Sequence, residues 1–294
     1  LAMQPRDGEL VHLLVIALFE IDDRAVRGAA DQDHRKTVGR GVGQRDRLAG
    51  LNTGGFVSGY RGSPLGALDQ SLWKAQKFLD RANVKFQPGL NEDLAATSIW
   101  GTQQLNLFPG AKYDGVFAMW YGKGPGVDRC GDVFKHANAA GTSKHGGVLV
   151  LAGYDHGAKS STLPHQSDHI FKACLIPVLN PSNVQDYLDL GLHGFAMSRY
   201  SGCWIAFKCV TDIVESGASV IVDPARVVSR LPTDFNLPPG GLNIRWPDGI
   251  LEQEARILAR LEHPGIVPVH DFGQLADGRL FYAMKRVRGE RLDL

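Results

Sequence analysis

Glu92 lies in the run Asn91-Glu92-Asp93, after a strand-like and turn-like stretch and at the head of a helix-like one. A carboxylate there can complement the helix dipole from the first turn, which is worth roughly 0.3–1 kcal/mol, or it can take part in catalysis. The loop at 155–169 gathers Asp155, His156, His165, Gln166, Asp168 and His169. His165 and His169 have the i,i+4 spacing of zinc ligands on one helix face. Pro164 and the Gly/Ser-rich lead-in argue instead for a polar loop with hydrogen-bonded histidines. In "GYRGSPLG" the glycines permit close approach of a ligand and Ser63 adds a hydroxyl, but a tight turn before a helix reads the same way. "YGKGPG" could cradle an anion through its amides and Lys123, although it lacks the Ser/Thr that a phosphate loop places after its lysine.

The elements that would position these residues alternate from about residue 44. Strands are expected at 54–60, 84–86, 114–120, 146–153, 176–180 and 203–208. Helices are expected from Pro64 through Trp73 to Leu79, over 91–105 with Asn91 as N-cap, over Val127–Ala140 and over Val184–Met197. Apolar strands joined by helical crossovers imply an α/β fold, a parallel sheet flanked by helices and buried on both faces. Ligands of such sheets bind outside the carboxyl ends of the strands. The loops named above fall there.

The totals are those of an ordinary globular chain. The 294 residues carry a net charge of +1 and 44% hydrophobic residues, so nothing suggests nucleic-acid binding or a polybasic membrane anchor. No run approaches the roughly 18 apolar residues of a membrane span. Val11–Ile21 reads as a buried helix or strand rather than a signal peptide. Residues 22–48 are dense in charge and read as a poorly packed leader. "GRGVGQ" within them has no strand before it, so the dinucleotide reading is weak. The four cysteines, Cys130, Cys174, Cys203 and Cys209, form no C-x-x-C pair and suit reduced, buried thiols in a cytoplasmic protein.

Several of these stretches together resemble one family. "GLNTGGFVSGYRGSPLGALDQSLWKA", "FQPGLNEDLAATSIWGTQQ", the run from "GVFAMWYGKGPG" to "LPHQSDH", and "MSRYSGCWIAFKCV" are similar to the indolepyruvate ferredoxin oxidoreductases. The resemblance runs over about 44–248 and implies that family's pyrimidine-binding domain, with a thiamine-diphosphate-binding fold. It implies oxidative decarboxylation of aryl 2-oxoacids on thiamine diphosphate, with coenzyme A taking the acyl group and ferredoxin the electrons. It makes Glu92 the carboxyl that shares a proton with the cofactor's aminopyrimidine ring. Gly62, Ser63 and Pro64 become cofactor-side loop residues, and Ser63, Lys123, Asp155, His156 and Gln166 line the substrate cavity. The diphosphate-binding segment, its magnesium motif and the cysteines of iron–sulfur clusters have no match here. The resemblance therefore implies a half-site that is inactive alone, in a dimer, with residues 1–43 an unassigned leader.

Residues 249–294 differ. "EQEARILARLEHPGIVPVHDFGQLADGRLFYAMKRVRGERL" resembles part of the small lobe of a bacterial serine/threonine protein kinase. Ile257, Leu258 and Leu261 make a helical stripe, and a hairpin should turn at Asp277-Gly278. By resemblance Glu254 matches the glutamate that pairs with the ATP-positioning lysine, Met284 guards the nucleotide pocket, and Arg286–Gly289 is the hinge. The glycine-rich loop, lysine strand and catalytic Asp segment have no counterpart, so no kinase activity is expected. The two sequences should join within Gly249–Arg256. Two other functions stand beside the oxidoreductase reading: a nucleotide-binding regulatory module built on the kinase-like part, and a zinc enzyme built on His156, His165 and His169.

Overall fold

The computed structural model describes residues 41–107, 109–159, 161–221, 226–232 and 234, and the backbone of 269–274 and 280–284. Val11–Ile21, most of the leader, the Gly249–Arg256 junction, Glu254, the Ile257–Leu261 stripe, the turn at Asp277-Gly278 and the hinge lie outside the described residues.

Six strands form one parallel sheet: β1 Thr53–Gly59, β2 Val84–Phe86, β3 Gly115–Lys123, β4 Val148–Tyr154, β5 Val178–Leu179 and β6 Ile205–Val210. Their order is β2-β1-β3-β4-β6-β5. Side chains alternate between the faces with the period of two that a strand imposes. Phe117, Met119 and Tyr121 of β3 join Leu149, Leu151, Ile205 and Phe207 in one core. Ala118 and Trp120 join Val148, Val150, Ala152, Trp204 and Ala206 in the other. Every β3 residue from Gly115 to Gly122 is buried. That explains the unbroken apolar run: a central parallel strand has no solvent face to mark with polar residues.

The helices are α1 Val42–Leu48, α2 Leu68–Lys74, α3 Gln76–Arg81, α4 Glu92–Gln103, α5 Gly124–Arg129, α6 Gly131–Ala140, α7 Asp168–Ala173, α8 Val184–Ser201 and α9 Thr211–Val214. Asn91 caps α4 as expected, its side chain accepting from the Leu94 amide at 2.8 Å, and Asn183 caps α8 by accepting from the Asp186 amide at 3.0 Å.

Three expectations need correction. Pro64 does not start a helix: its ring packs on Gly153 of β4, which holds residues 61–66 as a loop, and the helical run to Arg81 breaks at Ala75. The expected Val127–Ala140 helix starts earlier, at Gly124, and breaks at Cys130. The last part of the charge-rich leader is packed. Val42, Gly43 and Asp46 of α1 are buried, and Asp46 takes both terminal nitrogens of Arg199 from α8, at 2.7 and 2.8 Å. Thr53 of β1 donates to the same carboxylate at 2.6 Å. Periodicity could not show this, because a buried ion pair looks polar in sequence. β7 Val269–Gln274 and β8 Leu280–Met284 form an antiparallel hairpin, with Met284 opposite Val269.

Candidate functional site

After β1 the chain runs to β2 on one side, then crosses to β3 on the other. This reversal opens a crevice at the carboxyl ends of β1 and β3, where α/β sheets bind ligands. Four loops meet there: Tyr60–Pro64 after β1, Gln87–Asn91 after β2, the entry to α5 after β3, and the segment from Asp155 after β4.

Glu92 is the first residue of α4 and is 8% exposed. Its backbone is pinned, because the Trp120 indole on β3 donates to the Glu92 carbonyl at 3.1 Å in the buried interior. Its side chain lies against Gly126 of α5, where a Cβ would stand 2.6 Å from Glu92 Cγ and 2.9 Å from Oε1. Among the described residues none hydrogen-bonds to or ion-pairs with its carboxylate. The neighbouring acid is already paired: Arg129 Nε donates to Asp93 at 2.6 Å. Leu90 and Leu94 stand exposed on either side, at 87% and 49%.

The β1 loop is fixed to its neighbours. Tyr60 N–H donates to the Tyr121 carbonyl at 3.0 Å. A Cβ at Gly62 would stand 2.6 Å from Lys123 Cδ, so the lysine stem runs through the space a side chain would fill. Pro64 lies against Gly153, and the Ser63 hydroxyl donates to Asp155. Asp155 also accepts from the Gly157 amide at 3.1 Å and the Lys159 amide at 2.9 Å. Burial opposes its ionisation, yet the Ser63 hydroxyl and these two amides outweigh it and hold the carboxyl below its ordinary range. Asp155 thus organises its loop. His156 and Gln166 are exposed on the same loop.

The three histidines of the zinc reading do not converge. Nδ1 of His165 lies 2.8 Å from the Leu163 carbonyl, and Nε2 faces Asp128 at 3.3 Å. His156 and His169 are exposed elsewhere. No group of three His, Cys, Asp or Glu side chains able to hold a metal occurs among the described residues. The zinc alternative is corrected accordingly: Pro164 and the loop before it keep His165 out of a helix, which begins only at Asp168. The four cysteines are unpaired, three of them buried. Burial pushes the Cys130, Cys174 and Cys209 thiols up.

Sequence reasoning missed Arg61, Asp69, Tyr121, Asp128 and Gly126. Arg61 Nε approaches Asp69 Oδ2 at 3.7 Å, with side-chain exposures of 75% and 8%. The Tyr121 hydroxyl lies beside Asp69 without reaching hydrogen-bonding geometry, and both Tyr121 Oη and Asp69 Oδ1 are buried without a partner. Burial and the Asp69 carboxylate push the Tyr121 hydroxyl up. The only sequence signal was the Gly-rich texture of "YGKGPG". Its glycines prove to be packing gaps: Gly124 accommodates His165, and Gly126 accommodates Glu92.

No protein-family model matches the chain. It is 28% identical over 145 residues to an indolepyruvate oxidoreductase subunit IorA of Methanothermobacter marburgensis, covering 49% of this chain and 21% of that protein. The subunit of the same name from Methanothermobacter thermautotrophicus is 26% identical over 159 residues, 54% of this chain and 24% of that protein. The chain therefore spans about a fifth to a quarter of the length of these relatives. A stretch of 43 residues, 15% of this chain, is 46% identical to 7% of the serine/threonine-protein kinase PknH of Mycobacterium bovis. Among solved structures, a 2-oxoglutarate:ferredoxin oxidoreductase from Magnetococcus marinus aligns with a TM-score of 0.45 at 17% identity, over 66% of this chain and 32% of that one. No helix among the described residues is long and apolar enough to cross a membrane. The chain is thus related in sequence to the indolepyruvate oxidoreductases and, over a short stretch, to a serine/threonine-protein kinase.

Proposed function

We propose that the α/β body supplies the aminopyrimidine side of a thiamine diphosphate site in an oxidoreductase that decarboxylates aryl 2-oxoacids, passing electrons to ferredoxin and the acyl group to coenzyme A. The observation that carries this is Glu92: a buried carboxylate without a described partner, pinned by Trp120 and facing the glycine floor of α5 at the sheet's switch point. The sequence likeness to the indolepyruvate oxidoreductases supports the same reading.

The residues present fit an aminopyrimidine ring. The ring offers a nitrogen that can share a proton with a carboxyl, and Glu92 has that capacity unspent. Gly126 leaves the Glu92 side chain its space, and Leu90 and Leu94 give an apolar rim. When bound, the cofactor would supply the carbon that attacks the 2-oxo group and accepts the electrons left as carbon dioxide departs. Glu92 would share a proton with the ring nitrogen through its carboxylate. Trp120 fixes the backbone from which that carboxylate projects. The described residues do not fit the diphosphate and its magnesium, nor an iron–sulfur cluster, because no cluster of metal-ligating side chains occurs among them. A second protein surface would bring those groups. By itself the 294-residue chain should show negligible decarboxylation. For the kinase-like stretch we propose no phosphoryl transfer.

Calorimetric titration of the full chain with thiamine diphosphate tests this reading. Saturable binding weakened about tenfold or more in Glu92→Gln is expected, since a carboxylate hydrogen bond to a ligand is worth roughly 1.5–3 kcal/mol. Equal binding by wild type and variant would refute the assignment of Glu92, and robust indolepyruvate turnover by this chain would refute the expectation of negligible decarboxylation.

A further inference from the structure

We propose that the doubly protonated ring of His165 is a pH-dependent clamp that holds α5 in place as the floor beneath Glu92. His165 is then a positioning residue, acting on the site through α5 without touching a ligand. Its consequence for the cofactor rests on the reading of Glu92 given above.

The helix α5 spans only Gly124–Arg129 and is held between two neighbours. On one side is the start of α4: Gly126 lies against the Glu92 side chain, and Arg129 donates to Asp93 at 2.6 Å. On the other is the loop that leads into α7. A Cβ at Gly124 would collide with the Cβ of His165. Asp128, one turn further along the same face of α5, meets the His165 ring. The contacts to Glu92 and to His165 thus alternate along one short helix. That helix packs through Val127 on the sheet face that carries Trp120, the residue that pins Glu92.

The two contacts of the ring select its charged form. Nδ1 lies 2.8 Å from the Leu163 carbonyl oxygen, which can only accept, so Nδ1 carries a hydrogen. Nε2 lies 3.3 Å from Oδ2 of Asp128, which also only accepts when ionised. A neutral imidazole has one N–H and leaves a bare lone pair facing one of these oxygens. The imidazolium, with a hydrogen on each nitrogen, is matched to both. Histidine ordinarily changes charge between about pH 5 and 8, so the match is made at the acid end of that range and lost at the alkaline end.

The other charges around α5 and this loop are engaged elsewhere. Asp93 is paired with Arg129, and Asp155 accepts from Ser63 and from the Gly157 and Lys159 amides. Asp168, at the start of α7, accepts from Tyr154 at 3.0 Å and from Lys208 at 3.2 Å. Lys123, just before α5, runs its stem past Gly62, and Glu92 faces α5 from the side away from His165. Asp128 is the acid that faces the ring among the described residues. With side-chain exposures of 28% and 45%, the pair contributes little to overall stability. It acts on position, because a helix of six residues is too short to hold itself.

The test is a nuclear magnetic resonance titration of the full chain, isotope-labelled, from about pH 5.5 to about pH 8.5. The His165 ring nitrogens are expected to show two N–H groups at the acid end, and the Gly124, Gly126 and Asp128 amide signals to move as the ring loses one. Glu92 also touches Gly126, so the clamp's share of that movement is the part lost in His165→Leu and kept in Glu92→Gln. Asp128→Asn, whose amide can donate to a neutral ring, should lose most of the same response. Calorimetry adds a second readout. Thiamine diphosphate should bind wild type about threefold more tightly than His165→Leu at the acid end, the measure of one exposed ion pair, and the two equally at the alkaline end. A plain structural role would give one ratio at both. An α5 response that survives in His165→Leu, or an affinity ratio that stays constant with pH, would overturn the clamp. The cofactor reading fails separately: thiamine diphosphate that binds at neither pH, with α5 still following the His165 ring, would remove that reading and support the clamp.

Discussion

Gly126 and Glu92 touch directly, with a Cβ on Gly126 standing 2.6 Å from Glu92 Cγ and 2.9 Å from Oε1. The carboxylate owes its position to a missing side chain on the helix after β3. Gly126→Ala should displace Glu92 while leaving its chemistry intact. Thiamine diphosphate affinity should fall about tenfold, in the range of one lost charged hydrogen bond, with the unfolding midpoint little changed because alanine favours a helix. Calorimetry and urea denaturation of the same variant check both halves.

The Asp46–Arg199 pair joins α1 to α8 at the far end of the sheet from the candidate site. Asp46 is 4% exposed and bonded by Arg199 and Thr53. Arg199→Met leaves the Asp46 charge buried with only a hydroxyl for company. A loss of about 3 kcal/mol in unfolding free energy is expected, read from urea denaturation, with thiamine diphosphate binding at Glu92 retained. A variant as stable as wild type would show the pair to be ornamental.

Acidification should loosen the 155–159 loop. The Asp155 carboxyl is held below its ordinary range by the Ser63 hydroxyl and the Lys159 and Gly157 amides, against an opposing effect of burial. A depressed folded value means that the contribution is present above the unfolded value, about 3.9, and is lost as pH falls through the folded one. The Gly157 and Lys159 amide signals should therefore shift below about pH 4, and Asp155→Asn should abolish that transition.

Burial pushes the Cys130, Cys174 and Cys209 thiols up, so each is a poor nucleophile in the folded chain. Iodoacetamide at pH 8 should leave Cys130 and Cys209 unlabelled in native protein and label them in urea. Fast native labelling of either would contradict the packing of the core described above.

Much of the sheet was legible in the sequence because its strands are buried on both faces and read as apolar runs. β2 at Val84–Phe86 and the Asn91 cap stand where the residues placed them. Less legible were features set by contacts between distant residues. Pro64 signals a helix start locally, but its packing on Gly153 makes it part of a loop. Asp46 belongs to a charge-dense run that reads as poorly packed, yet it meets Arg199 at 2.7 Å across a separation of 153 residues. Glu92 was legible as a helix-starting acid, but its burial against Gly126 required the fold. The glycines of "YGKGPG" suggested an anion cradle, and their spacing gave no hint that they were gaps for His165 and Glu92. Arg61 and Asp69 carried no signal, because an exposed arginine followed eight residues later by an aspartate is ordinary in any loop-to-helix stretch.

The central claim is that the Glu92 carboxyl meets the aminopyrimidine ring. Its carbon resonance in the isotope-labelled chain, assigned by loss of the signal in Glu92→Gln, reads that contact directly. The account predicts a saturable shift with thiamine diphosphate and with the isolated aminopyrimidine fragment, and none with the thiazole fragment. A signal that stays in place while the cofactor binds, or that moves equally with the thiazole fragment, would contradict it.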